Sequence, residues 1–326
     1  MLKPIFIQAR DLPDAWFQAL YKCVEIGKDF IIDRGSYEGQ KRLEFDYITL
    51  HIKHPENIPL LPEIPVQYNI PNPVHEDYIE EYLPYLMTSS KKDTEAYTYG
   101  ERLTNEHITS PLLDQEVGNE DIVKMDNEIW YNDNIVKGRY IGSQFLSQLE
   151  LLIWTYKNKG YRNNQMCLQV AKPEDMLLCD PPCLRHIDTR IQNNLEKEKI
   201  KLIDLLTHYG ISFDFSIATN EYLKDCFISA CKDQGNLFDV EGQLKNCEVP
   251  ELHFYPYFRS WDLWGGFPAN LAAIELMKQY VALEIGVENG EMIASSKGLH
   301  IYNYVWKLAE IIRGKTIEEF KKEMGE

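Results

Sequence analysis

The sequence predicts an α/β protein, and two interleaved patterns carry that prediction. In segments such as EFDYITLHIKHP and HFYPYF apolar and polar residues alternate, whereas in FPANLAAIELMKQYVALEIG the apolar residues recur at helical spacing. Alternation makes one face of a strand apolar, and the longer period makes one stripe of a helix apolar. The two together call for sheet covered by helices. With 326 residues, 44% of them hydrophobic, the chain can bury a sizeable core in one large domain or two closely packed ones.

Between Asp11 and Phe30, Trp16, Ala19, Leu20, Cys23 and Ile26 recur at helical spacing behind Asp11 or Asp14 as cap. Asp33, Arg34 and Gly35 make a turn, and the strand from Glu44 stops at Pro55. The prolines between Glu56 and Val74 exclude regular helix and central strand, leaving an ordered surface connection. A helix is expected from about Asp77 to Leu86, followed by YTYGERL from Tyr97 to Leu103. Residues 104–134, rich in Asn, Asp and Glu and without a period, read as an insertion or lid. Helical spacing returns from Ser143 to Tyr156, QMCLQVA reads as a buried strand, and the paired prolines of DPPCLRHIDTRI lead into another. Residues 192–250 carry helical patterns at Leu195 to Leu206 and Glu221 to Lys232, as a small subdomain inserted into the sheet would. HFYPYF is then a strand, the segment from Phe267 a helix, and GEMIASSKGLHIYNYV a single strand before the last helices.

Charge narrows the function. With 34 basic and 51 acidic residues the net charge is −17, which argues against a nucleic-acid or anionic-membrane surface. A small anionic ligand would need a dedicated pocket. Asp11 and Asp14 come too early for a signal peptide and no apolar run reaches a membrane span of roughly 18 residues, so a cytoplasmic protein is expected. Seven cysteines, an odd number, point to reduced thiols. There is no Walker loop, dinucleotide fingerprint or paired CxxC, and no metal is predicted.

Cys183 follows two prolines that fix its backbone, and Arg185, Arg190 and Arg259 are cations that would stabilise a thiolate. A cysteine in an apolar segment also serves as packed core. Arg259 and Ser260, between a strand and a helix, suit a phosphate, or else Arg259 and Asp262 form a surface pair. Asn270 near the start of an apolar helix needs partners for its amide, whether from a ligand or from the protein. His300 and Tyr302, two apart on a strand, share a face as ligand-binding pair or as core aromatics.

Taken in order, Cys183 after PP, then Arg259, Ser260, Asp262, Gly266, Asn270, His300 and Tyr302, the chain resembles the thymidylate synthase family that uses folate and a cysteine nucleophile, especially its archaeal-type members. The resemblance covers about 143–191 and 252–311, plus YTYGERL with Tyr99 and Gly100. It implies a three-layer α/β fold with a mixed sheet, a single domain over 1–326 with insertions at about 104–134 and 192–250, and a homodimer formed back to back through the sheet. It implies reductive methylation of deoxyuridylate at carbon five by a methylene-tetrahydrofolate or related tetrahydropterin. Cys183 would attack carbon six, Tyr99 assist proton removal, and Glu81, with Glu80 as its rival, act as general acid and base. Arg259, Ser260, Asn270, His300, Tyr302 and Arg34 would bind the nucleotide, Asn270 by pairing with the uracil amide and so favouring deoxyuridylate over deoxycytidylate; Asp262 and Gly266 would serve the folate. Where the family has paired arginines for the phosphate this chain has Asn163 and Asn164, which leaves Arg162, Arg185 or Arg190 to replace them. The C-terminal helix stands where the family has a short apolar tail over the folate, and the insertions at 104–134 and 192–250 are candidates for a replacement lid. A nucleotide hydroxymethylase on the same scaffold, or a nucleotide-binding protein without turnover, are the alternatives.

Overall fold

A computed structural model describes residues 2–33, 37–75, 77–93, 95–104, 106–107, 145–162, 164–233 and 239–325. In chain order its elements are β1 (Pro4–Ala9), α1 (Leu12–Ile26), β2 (Lys28–Ile31), β3 (Lys41–Glu44), β4 (Tyr47–Ile52), α2 (Asp77–Met87), α3 (Tyr99–Thr104), β5 (Glu106–His107) and β6 (Phe145–Leu146). Then follow α4 (Gln148–Lys159), β7 (Cys167–Gln169), β8 (Leu184–Asn193), α5 (Leu195–His208), α6 (Asn220–Asp233), α7 (Val240–Cys247), β9 (Pro250–Phe258), β10 (Trp261–Asp262), α8 (Gly266–Ile285), β11 (Glu288–Ser296), β12 (Leu299–Tyr302), α9 (Trp306–Arg313) and α10 (Ile317–Met324).

The α/β class and the mixed sheet are as expected. Six strands lie in the order β1-β4-β11-β9-β8-β7, with β1–β4 and β11–β9 parallel and the other pairs antiparallel. One face of this sheet is covered by α1 and α8; α2, α9 and α10 lie on those two helices as a further layer. On the other face alternation leaves Tyr47, His51, Ile293, Tyr255, Tyr257 and Arg190 partly or fully exposed. A smaller sheet, β10-β12-β3-β2, borders the first.

Helix α1 starts where its cap predicts: the Asp11 carboxylate accepts from the Asp14 amide. It stops at Ile26 rather than Phe30: at Gly27 the backbone turns extended (φ −62°, ψ 142°) while its amide still donates to the Cys23 carbonyl, an approach that would put a Cβ 2.4 Å from that oxygen, and Phe30 joins β2. The connection over 56–74 holds no strand and one short 3-10 turn, Val66–Tyr68.

Three expectations need correction. GEMIASSKGLHIYNYV is two strands, β11 in the large sheet and β12 in the small one. Alternation continues across the turn at Lys297 and Gly298, so nothing in the pattern marks the break; the turn is held by the Gly298 amide donating to Ser296 Oγ at 3.1 Å. QMCLQVA yields only the three-residue edge strand β7, with Cys167 half-buried. Its free edge is covered by a side chain: the Gln169 amide donates to Gln148 Oε1 at 2.7 Å, and Gln148 Nε2 donates to the Gln169 carbonyl at 2.8 Å. Residues 192–250 hold α5, α6 and α7, a stretch with its own apolar cluster of Leu202, Leu206, Leu223, Phe227, Cys231 and Cys247. It leaves the sheet from the end of the ten-residue β8 opposite Cys183, roughly 30 Å along the strand, and is therefore no lid over that cysteine. The expected lid at 104–134 lies, apart from residues 104, 106 and 107, outside the described residues.

Candidate active site

The antiparallel register of β8 and β9 pairs Leu184 with Phe258, which sets Cys183 directly against Arg259. The Arg259 amide donates to the Cys183 carbonyl at 2.8 Å. The guanidinium turns back over the prolines: Nε donates to the Pro182 carbonyl at 3.2 Å, and one terminal nitrogen donates to the Pro181 carbonyl at 2.5 Å and to Asp180 Oδ1 at 3.2 Å. The two prolines cannot donate, and their carbonyls are taken by an arginine 77 and 78 residues away in sequence.

Behind this loop is a buried charge cluster. Arg102 on α3 forms a two-pronged pair with Asp175, at 2.7 and 2.6 Å, and donates to the Val170 carbonyl at 2.6 Å. Arg185 stands 3.8 Å from the same carboxylate and 3.4 Å from the Pro182 carbonyl. Burial alone would raise the Asp175 carboxyl, but hydrogen bonds from Arg102 and the Lys172 amide outweigh it and hold it below its ordinary value. Tyr97 lies over the Arg102 guanidinium at 4.8 Å and its hydroxyl is 3.4 Å from the Asp180 carbonyl.

Helix α3 brings Tyr99 to the cysteine, and the Leu184 amide donates to its hydroxyl at 3.2 Å. The approach depends on Gly100: a Cβ there would fall 2.2 Å from the Thr88 carbonyl and 2.4 Å from that of Tyr85. Burial, with Cys183 and Tyr82 adding to it, keeps the Tyr99 phenol protonated well above its ordinary range. Half-buried Cys183 has its thiol pushed up by burial; Asp180 and Asp262 act in the same direction, while Arg259 and Arg185 oppose them.

Asp262 stands just before α8 and accepts from the amides of Trp264, Gly265 and Gly266 at 3.1, 3.1 and 3.2 Å, the last of them the first residue of the helix. Burial raises its pKa, and these three amides partly offset the rise. One turn on, Asn270 has both ends of its amide engaged: Trp261 Nε1 donates to Oδ1 at 3.1 Å, and Nδ2 donates to the Tyr82 hydroxyl at 2.8 Å. On β12, His300 is 1% exposed and its Nδ1 lies 2.8 Å from the Gly298 carbonyl. A carbonyl only accepts, so the proton is on Nδ1, and Nε2 is a buried acceptor with no hydrogen-bond partner among the described residues. Burial lowers the imidazole to about 4, with the Gly298 hydrogen bond opposing. Tyr302 packs edge-on against His300 at 4.7 Å and stacks on Tyr37 at 4.6 Å.

Of the residues singled out from sequence, Cys183, Tyr99, Arg259, Arg185, Asp262, Gly266 and Asn270 are gathered here, with His300 and Tyr302 on the adjoining strand and half-buried Ser260 between. Glu81 and Glu80 are not gathered; both are exposed on α2, and the neighbour that turns toward the cysteine is Tyr82. Arg190 is exposed on the bare face of the sheet, seven residues along β8 from Cys183 and thus roughly 20 Å away. Arg162 and Asn164 are exposed, and Arg34 and Asn163 lie outside the described residues. Sequence reasoning missed Tyr82, Trp261, Asp180 and Arg42, the last standing opposite Tyr302 on β3 and paired with Glu44 at 2.7 Å. Tyr78, Tyr82 and Tyr85 form an aromatic stripe at helical spacing, the signal by which Tyr82 could have been found.

Among the described residues, no group of three or more His, Cys, Asp or Glu stands where it could hold a metal ion, and no helix is long and apolar enough to cross a membrane.

Comparison with known proteins points the same way as the site. The sequence model of the family described as thymidylate synthase matches residues 215–321. A protein named "Putative thymidylate synthase" from Methanosarcina mazei is 37% identical over 65 residues, and its namesake from Methanococcoides burtonii is 38% identical over 64. These matches cover 20% and 19% of this chain, and 30% of each relative's length.

Proposed function

From a chain that resembles the thymidylate synthase family, most closely in its C-terminal third, we propose an enzyme that methylates deoxyuridylate at carbon five with a methylene-tetrahydropterin. The observation that supports the reading is the β8–β9 register, which pairs Cys183 with Arg259, a cation that favours its thiolate, in a loop fixed by two prolines. Cys183 is the nucleophile toward carbon six of the pyrimidine. Its thiol is protonated at rest, and the arriving ring needs a thiolate that Arg259 and Arg185 favour. Tyr99, held protonated against the Leu184 amide, is placed to pass a proton near carbon five. The unpartnered His300 Nε2 accepts from a sugar hydroxyl, beside Tyr302.

The phosphate reaches Arg259 and Ser260 by displacing Asp180, whose carboxylate already sits on the guanidinium. Arg185 adds to the same anion site. Arg190 serves no phosphate in its own chain; on the bare sheet face its reach is to a second copy, in the back-to-back homodimer this reading includes.

The pterin, when bound, supplies the one-carbon unit and the reducing equivalents. Gly266 stands at the start of α8 between Asp262 and Asn270, where an added Cβ would lie 3.4 Å from Asp262 and 3.8 Å from the Asn270 amide, and the glycine keeps that space open on the pterin side. Asp262 has three of its acceptor sites taken by the amides that lead into α8 and acts on that ring chiefly by holding the start of α8 in place.

Mass spectrometry of the protein with 5-fluorodeoxyuridylate and methylene-tetrahydrofolate tests the reading. A covalent adduct in the wild type that is lost in Cys183→Ala is expected; nucleotide binding without any adduct would leave a binding protein. Product analysis separates methylation from hydroxymethylation, since only methylation oxidises the pterin.

A further inference from the structure

We propose that Trp261 and Tyr82 are positioning residues that hold the Asn270 amide in one orientation and so make the site select a 4-oxo over a 4-amino pyrimidine. The inference rests on the nucleotide reading above and deepens it.

Trp261 Nε1 can only donate, and it lies 3.1 Å from one end of the Asn270 amide, so that end is the carbonyl oxygen. The donor has no freedom to swing away: Trp261 is 2% exposed, with its ring stacked on Phe258 at 4.0 Å and on Phe267 at 4.6 Å. The other end of the amide is therefore Nδ2, and it donates to the Tyr82 hydroxyl at 2.8 Å. Tyr82 is held in turn by its neighbours on α2, stacked on Tyr78 at 5.8 Å and Tyr85 at 6.5 Å.

Turning the amide over would set its N–H against the indole N–H. A hydroxyl can reverse its role and an indole cannot, so Trp261 is the stronger half of the lock. In the locked orientation the second Nδ2 hydrogen is left to donate, and the Tyr82 hydroxyl, having accepted from Asn270, keeps its own hydrogen to give. Both look for an acceptor. With Asn270 on the uracil amide edge, as the resemblance implies, the oxygen on carbon four is that acceptor and the second lone pair of Oδ1 takes the N3 hydrogen; cytosine offers an amine where the site donates and a bare N3 where it accepts. Burial, the largest influence on the Tyr82 phenol, keeps it protonated beside Cys183, so its hydrogen is there to be donated.

The test is the ratio of kcat/KM for deoxyuridylate to that for deoxycytidylate, and the ratio of the two Kd values by calorimetry without pterin. Trp261→Phe keeps the ring stack and removes the donor; Tyr82→Phe keeps its stack and removes the hydroxyl. The ratio should fall by about tenfold or more in Trp261→Phe and by a smaller factor, about threefold, in Tyr82→Phe, with the order preserved in both measurements. A folded Trp261→Phe whose ratios stay within about twofold of wild type overturns the proposal. If Trp261→Phe does not fold, Tyr82→Phe decides, and unchanged ratios there overturn it. The wild-type adduct with 5-fluorodeoxyuridylate keeps the two readings apart: an adduct together with unchanged ratios sinks the lock alone, and absence of nucleotide binding sinks both.

Discussion

The two ends of β8 are held by different means. At its start, Cys183 sits among contacts from α3, the loop before β8, β9 and the Asp175 turn, nearly all of them polar and most of them between residues far apart in sequence. At its finish, the chain enters α5, α6 and α7, which bury Leu202, Leu206, Leu223 and Phe227 against one another within a single stretch. Lys197, paired with Glu251 and Glu288 at 2.8 and 2.7 Å, ties this stretch to the strands beside it. A local apolar cluster tolerates rearrangement without disturbing what lies beyond it. A polar cluster built from distant segments must be satisfied all at once, and that is what gives one geometry to a reacting group.

The sharpest break in this comparison is Asp175→Ala, which strands the buried Arg102 cation. It should cost about 3–5 kcal/mol in urea unfolding and slow adduct formation at Cys183, whose loop loses its backing. An unchanged adduct rate would mean that the cluster does not position the cysteine. At the other end, Leu202→Ala should cost roughly 2–5 kcal/mol of that stretch's own stability, read by hydrogen exchange across α5 and α6, while the adduct rate stays at the wild-type value.

His300 gives an intermediate effect with a definite sign. In the unfolded chain histidine titrates near 6.5. Folded, His300 does so at about 4, so below 6.5 only the unfolded state gains the proton. Stability from this group is therefore whole above about pH 6.5 and is lost progressively toward pH 4, by about 2 kcal/mol at pH 5. His300→Gln should flatten that part of the pH dependence relative to wild type, as urea unfolding at pH 7 and pH 5 will show. The smallest expected change is at the exposed Asp180. Asp180→Asn removes the carboxylate from Arg259 and should lower the nucleotide's KM by about two- to fivefold, the scale of an exposed ion pair. The same variant should lower the Cys183 pKa and speed thiol alkylation at neutral pH, because Asp180 is one of the groups holding that pKa up.

Local pattern determined most of the elements. The cap at Asp11, the helical spacing of α1 and α8, the alternation of β4 and β9 and the proline-rich connection follow from rules acting over a few residues. Ordered motifs likewise made Cys183, Arg259, Asp262, Asn270, His300 and Tyr302 legible as a set. Only the tertiary structure decided what these residues touch, because a hydrogen-bond partner 188 residues away, as Tyr82 is from Asn270, leaves no trace in local spacing. For the same reason it decided that Glu81 faces solvent while its neighbour Tyr82 faces the cysteine, since adjacent positions on a helix point about 100° apart. It also separated Arg185 from Arg190, one beside the Asp175 carboxylate and the other on the bare sheet face, because five residues of strand reverse the side chain's face and carry it past the reach of the site.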